Sequence, residues 1–219
     1  MQLRNFDVPM MVILSGLLAS MKKEECSGGG YTSIVYYKKR LLRLIVPTWI
    51  FLSLYFIAFR IVKGIVDYKI LIKSFLFQQD SIGYVWIIWV YVITAFLTPI
   101  LIALYERFGK TFFVLYFLLY IGYEILVFLK VGISSRLLIC SVYYAIPYGG
   151  ILLFGLLYNK FSYKEKLFIS SFALVIYIAF AVAAYLIKGR YVPTQAFKYP
   201  PRMYWISYAI GISYFLMIR

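Results

Sequence analysis

Tyr36-Tyr37-Lys38-Lys39-Arg40-Leu41-Leu42-Arg43-Leu44-Ile45-Val46-Pro47-Thr48-Trp49 is the stretch whose reading decides the fold. Four cations, Lys38, Lys39, Arg40 and Arg43, crowd together at the foot of an apolar run that continues to Ile61. Cations that close an apolar run of nearly spanning length mark a membrane boundary, and the densest block of them favours the cytoplasmic side. The rest of the chain agrees with a membrane setting. Of its 219 residues, 64% are hydrophobic, 21% are aromatic and 14% are charged. A soluble domain is about 45–50% apolar and about 25% charged. The mean hydropathy is +0.86. The expected fold is all-α: a polytopic integral membrane protein of about seven transmembrane helices, with residues 1–219 as a single membrane domain in the cell (plasma or inner) membrane.

The net charge of +15 does not point to nucleic acid. The cations sit in short loops between apolar runs, where they meet anionic headgroups at roughly 1 kcal/mol each. The bilayer is therefore the expected partner, and nucleic acid is not. Cys26 and Cys140 lie in different segments without paired spacing and read as free thiols. No histidine occurs, which removes the commonest metal ligand and the commonest general base. The eight carboxylates are scattered, so no metal site is expected.

Working outward from the basic stretch, the spans follow in order. The first covers residues 3–21, with a short apolar run and Ser15-Gly16 as a small pair suited to helix packing. Residues 27–30, Ser-Gly-Gly-Gly, form a flexible break. The second span covers residues 44–61, with Pro47 in its first turn. A loop follows, with a short amphipathic helix over residues 68–77. The third span starts near residue 84, with Trp86 and Trp89 at the interface and Pro99 inside. The fourth covers residues 111–129 and carries Glu124. An ionisable residue inside a span is either a functional group or an interfacial one. The fifth covers residues 137–157 and is interrupted at Pro147-Tyr148-Gly149-Gly150. The sixth covers residues 167–187 and the seventh residues 203–218, joined by a polar loop that ends in Tyr199-Pro200-Pro201-Arg202. Alternating spans divide the 23 cations into twelve and eleven, so number does not separate the sides. The dense block before residue 44 assigns its own side to the cytoplasm. Met1 then falls outside, which points to a further span upstream.

Several stretches read together resemble the acyltransferase 3 family, integral-membrane enzymes that O-acylate surface polysaccharides and related acceptors. Phe6-Asp7-Val8-Pro9, followed by large apolar residues and Ser15-Gly16-Leu17, is similar to the family's second helix. Arg40-Leu41-Leu42-Arg43 with Pro47 soon after resembles its cytoplasmic Arg-x-x-Arg motif. Residues 86–99 resemble a helix led by tryptophan and ended by proline, and residues 148–155 an aromatic helix that turns to small residues. Tyr199-Pro200-Pro201-Arg202 looks like a loop of one branch. The order matches along the whole chain. The family's arginine-bearing and histidine-bearing first helix and its later helices have no counterpart here, so the resemblance implies a chain truncated at both ends.

The resemblance implies transfer of an acyl group, acetyl above all, from acetyl-CoA as donor substrate to a hydroxyl of a surface glycan acceptor, with no tightly bound cofactor. Arg40 and Arg43, spaced to share a helix face, are the candidate coenzyme A contacts, because guanidinium forks match phosphate bidentately. The catalytic residue is unknown, since the family's histidine is absent and Glu124 does not qualify as its replacement. Trp86, Glu124, Tyr199 and Arg202 are the candidate substrate contacts. Two other classes stay open on sequence alone: a transport or flippase component, disfavoured by the lack of a repeat, and a non-catalytic membrane subunit.

Overall fold

In lipid a backbone can satisfy its polar groups only within a helix or a closed barrel. The computed structural model describes residues 6–25, 34–78, 81–83, 85–129, 136–198 and 200–218, and the regular structure among them is helical. The helices are α1 (Asp7–Glu25), α2 (Ile34–Lys63), α3 (Tyr68–Phe75), α4 (Trp86–Phe108), α5 (Lys110–Phe128), α6 (Arg136–Leu157), α7 (Tyr163–Lys188) and α8 (Met203–Met217). Short 3-10 turns occupy Tyr158–Lys160 and Thr194–Phe197. Residues 1–5 and the glycine-rich break lie outside the described residues, as do Cys26, Tyr199 and Arg219. Four helical segments are long and apolar enough to cross a membrane: Tyr36–Lys63, Trp86–Phe108, Lys110–Phe128 and Tyr163–Lys188. Their outward residues are apolar, as on Phe117 and Leu118 of α5 and Phe168 and Phe172 of α7. Such faces suit hydrocarbon rather than water.

α8 is short but lies in the core: Trp205, Ala209 and Tyr214 are completely buried. α7 packs along it, with the Ser170 hydroxyl donating to the Gly211 carbonyl at 2.9 Å. α1 packs against α6 through glycine. A Cβ on Gly16 would stand 2.6 Å from the Leu152 carbonyl oxygen, and one on Gly155 would overlap the Ile13 carbonyl. Small residues let helices in lipid approach this closely, where dispersion and weak polar contacts replace the hydrophobic effect as the driving force. The sequence reading of a packing pair thus holds for Gly16.

Interhelical contacts define two ends of the bundle. At one end, Tyr123 donates to the Pro201 carbonyl at 2.8 Å and Tyr204 to the Val192 carbonyl at 3.0 Å, which ties the 189–202 loop over α5, α7 and α8. At the other, Tyr158 donates to the Met217 carbonyl at 2.6 Å, and Lys160 lies 4.4 Å from the centroid of the Tyr105 ring. A Ser162–Glu165 capping box starts α7 there, and Gly189, at φ 64°, ends it at the loop end.

Three expected boundaries are corrected. α2 begins ten residues before residue 44, so the cations lie inside a helix and Pro47 is interior rather than in the first turn. Lysine, arginine and leucine are good helix formers, and they carry α2 through the charged stretch. α6 runs unbroken through Pro147-Tyr148-Gly149-Gly150. There the Tyr116 ring packs against Gly149 and Gly150 and its hydroxyl donates to the Ile146 carbonyl at 2.7 Å. Finally, the cation block does not lie level with the helix ends. Tyr37 stacks on Phe96, midway along α4, at 5.3 Å between ring centroids. One face of the far half of α2 is covered by α3, where Trp49 donates to the Phe75 carbonyl at 3.3 Å and Phe56 stacks on Phe75 at 6.2 Å.

Gly155→Ala should destabilise the fold by about 1–3 kcal/mol through overpacking. Gly122→Ala, with nothing within 4 Å of its added Cβ, should be neutral or stabilising by up to about 1 kcal/mol. Thermal unfolding of the two variants in detergent checks the contrast, and equal losses would remove the glycine contact from its structural role.

Candidate functional site

Arg40 is a half-buried cation that reaches another helix. α2 carries its guanidinium to α1, where Nη2 donates to the Ser15 hydroxyl. Nη1 donates to the Tyr36 hydroxyl one turn back, at 3.1 Å. Ser15 lies mid-length in α1, about 12 Å from its start at Asp7 by helical rise. The α1 face around it is open: Met11 is 58% exposed and Leu18 is 60% exposed. Beside it the Tyr91 hydroxyl on α4 meets the Met11 sulfur at 3.0 Å. A guanidinium has more donors than these contacts use, so Arg40 is both positioned and able to bind an anion. Arg43, one turn on, is exposed and makes no hydrogen bond or ion pair among the described residues. The structure therefore separates the paired arginines: Arg40 is anchored and Arg43 is free.

The four candidate substrate contacts fall elsewhere. Glu124 stands in the last turn of α5, and its carboxylate accepts from the Tyr120 hydroxyl at 2.8 Å, from Arg202 Nε at 3.3 Å and from the backbone N–H of Met203. Met203 begins α8, so the carboxylate meets the positive end of that helix. With the Glu124 and Arg202 side chains 21% and 27% exposed, the pair is a partly buried latch between α5 and α8. Trp86 opens α4, stacks on Tyr144 at 6.2 Å and lies 5.8 Å from the Lys198 ammonium. Burial lowers the pKa of Lys198, and the Asp7 carboxylate partly offsets that shift. Tyr143 and Tyr144 on α6 link the two groups, since Tyr123 packs edge-on to Tyr143 at 5.8 Å. Trp86, Glu124 and Arg202 thus share the loop end of the bundle, while Tyr199 lies outside the described residues.

The chain matches the family model described as an acyltransferase domain, Acyl_transf_3, over residues 1–219. The chain belongs to the acyltransferase 3 family. No curated protein and no solved structure matches it. Membership of the acyltransferase 3 family and the apolar helices together make it a multi-pass membrane protein of an acyltransferase family.

Sequence reading missed Ser15 as a polar partner, because Ser15-Gly16 served there only as a small pair. The two residues in fact face different helices: Gly16 meets α6 and Ser15 meets Arg40. Tyr36 could have been found, since it precedes Arg40 by one helical turn. Lys198 and Asp7 carry no local signal that joins them.

A double-mutant cycle on Glu124→Gln and Arg202→Gln should give a coupling energy of about 1–2 kcal/mol in thermal unfolding. Strict additivity of the two losses would show that the latch is not an energetic unit.

Proposed function

We propose that the protein serves integral-membrane O-acyl transfer from acetyl-CoA to a hydroxyl of a cell-surface polysaccharide or glycan, in the plasma membrane. α1, α2 and α4–α8 act as its seven spans. The end that holds Lys110, Lys160 and Lys166 faces the cytoplasm, and so does the approach to Arg40. The observation that supports this reading is the anchoring of Arg40 by Ser15 and Tyr36, with donors left over for the phosphates of a nucleotide-bearing donor. Arg43 adds charge from the exposed face of the same helix.

Transfer requires the acceptor oxygen to attack the thioester carbonyl. The C–S bond breaks, and the hydroxyl proton passes through a base to the departing thiolate. These 219 residues include no histidine. Glu124 is engaged by a tyrosine, an arginine and a backbone N–H, so it acts as a structural carboxylate rather than as that base. Neither a histidine nor Glu124 is thus available as the proton acceptor. Trp86 lies at the end away from Lys110, Lys160 and Lys166, where its ring would meet the acceptor beside the Glu124–Arg202 latch.

Arg40→Lys should weaken binding of labelled acetyl-CoA to the purified chain about tenfold, because lysine cannot hold two bonds in a fork. Arg43→Lys should weaken it less, and protease protection should show both variants inserted normally. Unchanged binding in the double variant would leave the arginines a purely topological role. Membranes containing only this chain should transfer no labelled acetyl group to glycan. Observed transfer would place a working base among these residues.

A further inference from the structure

α5 packs on α4 and α6, and α7 packs on α8, but α5 and α7 share no extended seam. Between them lies a groove of about 720 Å³, floored by α6 and α8. Phe113 and Phe117 form one wall, Phe168 and Phe172 the other, and Phe154 and Ile206 part of the floor. The lining runs from Lys110 to Tyr120 along α5, about 15 Å of helical rise and about half of the ~30 Å hydrocarbon core. That is the depth of one leaflet.

Charge is confined to one end of the groove, at Lys110, Lys160 and Glu165. Glu165 is already committed: its carboxylate accepts from the Ser162 backbone N–H at 2.7 Å within the capping box. Arg107 in the last turn of α4 and Lys164 and Lys166 in the first turn of α7 add positive charge to the same end. Aromatic and aliphatic walls with cations at one mouth are suited to an acyl chain that carries an anionic headgroup. A sugar or a nucleotide would leave its polar groups unpaired along such walls.

We propose that this groove binds one anionic phospholipid, with an acyl chain between α5 and α7 and its phosphate at Lys110 and Lys160. The site is separate from Arg40 and does not depend on the acyl-transfer reading. The test is native mass spectrometry of the purified chain equilibrated with phosphatidylglycerol or phosphatidylcholine. The unmodified chain should retain one phosphatidylglycerol with roughly tenfold preference over phosphatidylcholine. Lys110→Gln combined with Lys160→Gln changes only exposed side chains, and it should reduce that preference to about twofold or less. Ala173→Phe, which fills the groove, should abolish retention of both lipids, with helix content by circular dichroism confirming the fold. Equal retention of the two lipids by the unmodified chain would overturn the proposal. So would undiminished preference in the lysine double variant, or full retention by the folded Ala173→Phe variant.

Discussion

The backbone contact of α1 with α6 at Gly16 and Gly155 is the constraint on which the rest of the arrangement depends. Lipid offers helices no hydrophobic reward for pairing, so shape and polar contacts must do it. Once Gly16 is pressed against Leu152 and Leu156, the rotation of α1 is set, because successive residues turn by a fixed angle around a helix. Ser15 is then directed toward α2, where it receives Arg40. α6, held in place by α1, presents its Pro147–Gly150 notch to Tyr116 of α5 and also floors the groove between α5 and α7.

Charge is handled differently at three levels of this bundle. At the loop end a carboxylate meets a guanidinium and a helix start, which neutralises Glu124 and fixes where α8 begins. At the opposite end lysines lie over the Tyr105 and Tyr158 rings, with their ammonium groups at 4.4 and 4.1 Å from the centroids. Cation–π contact lets such groups rest on aromatic surface without an acidic partner. At mid-length Arg40 has only neutral oxygens, those of Ser15 and Tyr36, as partners among the described residues. A cation held by neutral groups keeps its attraction for an anion, whereas the one paired with Glu124 does not. This difference separates the arginine suited to binding from the arginine suited to architecture.

Much of the fold was legible. Apolar length and the charged turns placed the long helices to within a few residues, the short α3 included, except for the start of α2, which lies ten residues earlier. The misreadings came from local rules overridden by helix propensity in α2 and by contacts between helices elsewhere. Pro47 and the Pro147–Gly150 segment read as a first turn and a break, yet both are interior to helices. In α6 the group packed on this segment is Tyr116, thirty residues in sequence from the Ile146 carbonyl that it bonds. The cation block read as a level marker, yet the Tyr37–Phe96 stack sets it beside the middle of α4. Glu124 read equally as functional or interfacial, and its two partners outside α5 lie 78 and 79 residues distant.

By itself the sequence determined the membrane setting, the all-helical class, the positions of the long helices and the resemblance to an acyltransferase family. All of these rest on composition, hydropathy and short ordered motifs, which are local quantities. Only the tertiary structure decided which arginine is anchored, which member of Ser15-Gly16 packs and which bonds, and that Glu124 serves α8. The physical reason is that each of these is a pairing between helices remote in sequence. In a lipid-facing bundle, where nearly every surface residue is apolar, the pattern along one helix does not say which neighbour its few polar groups will meet.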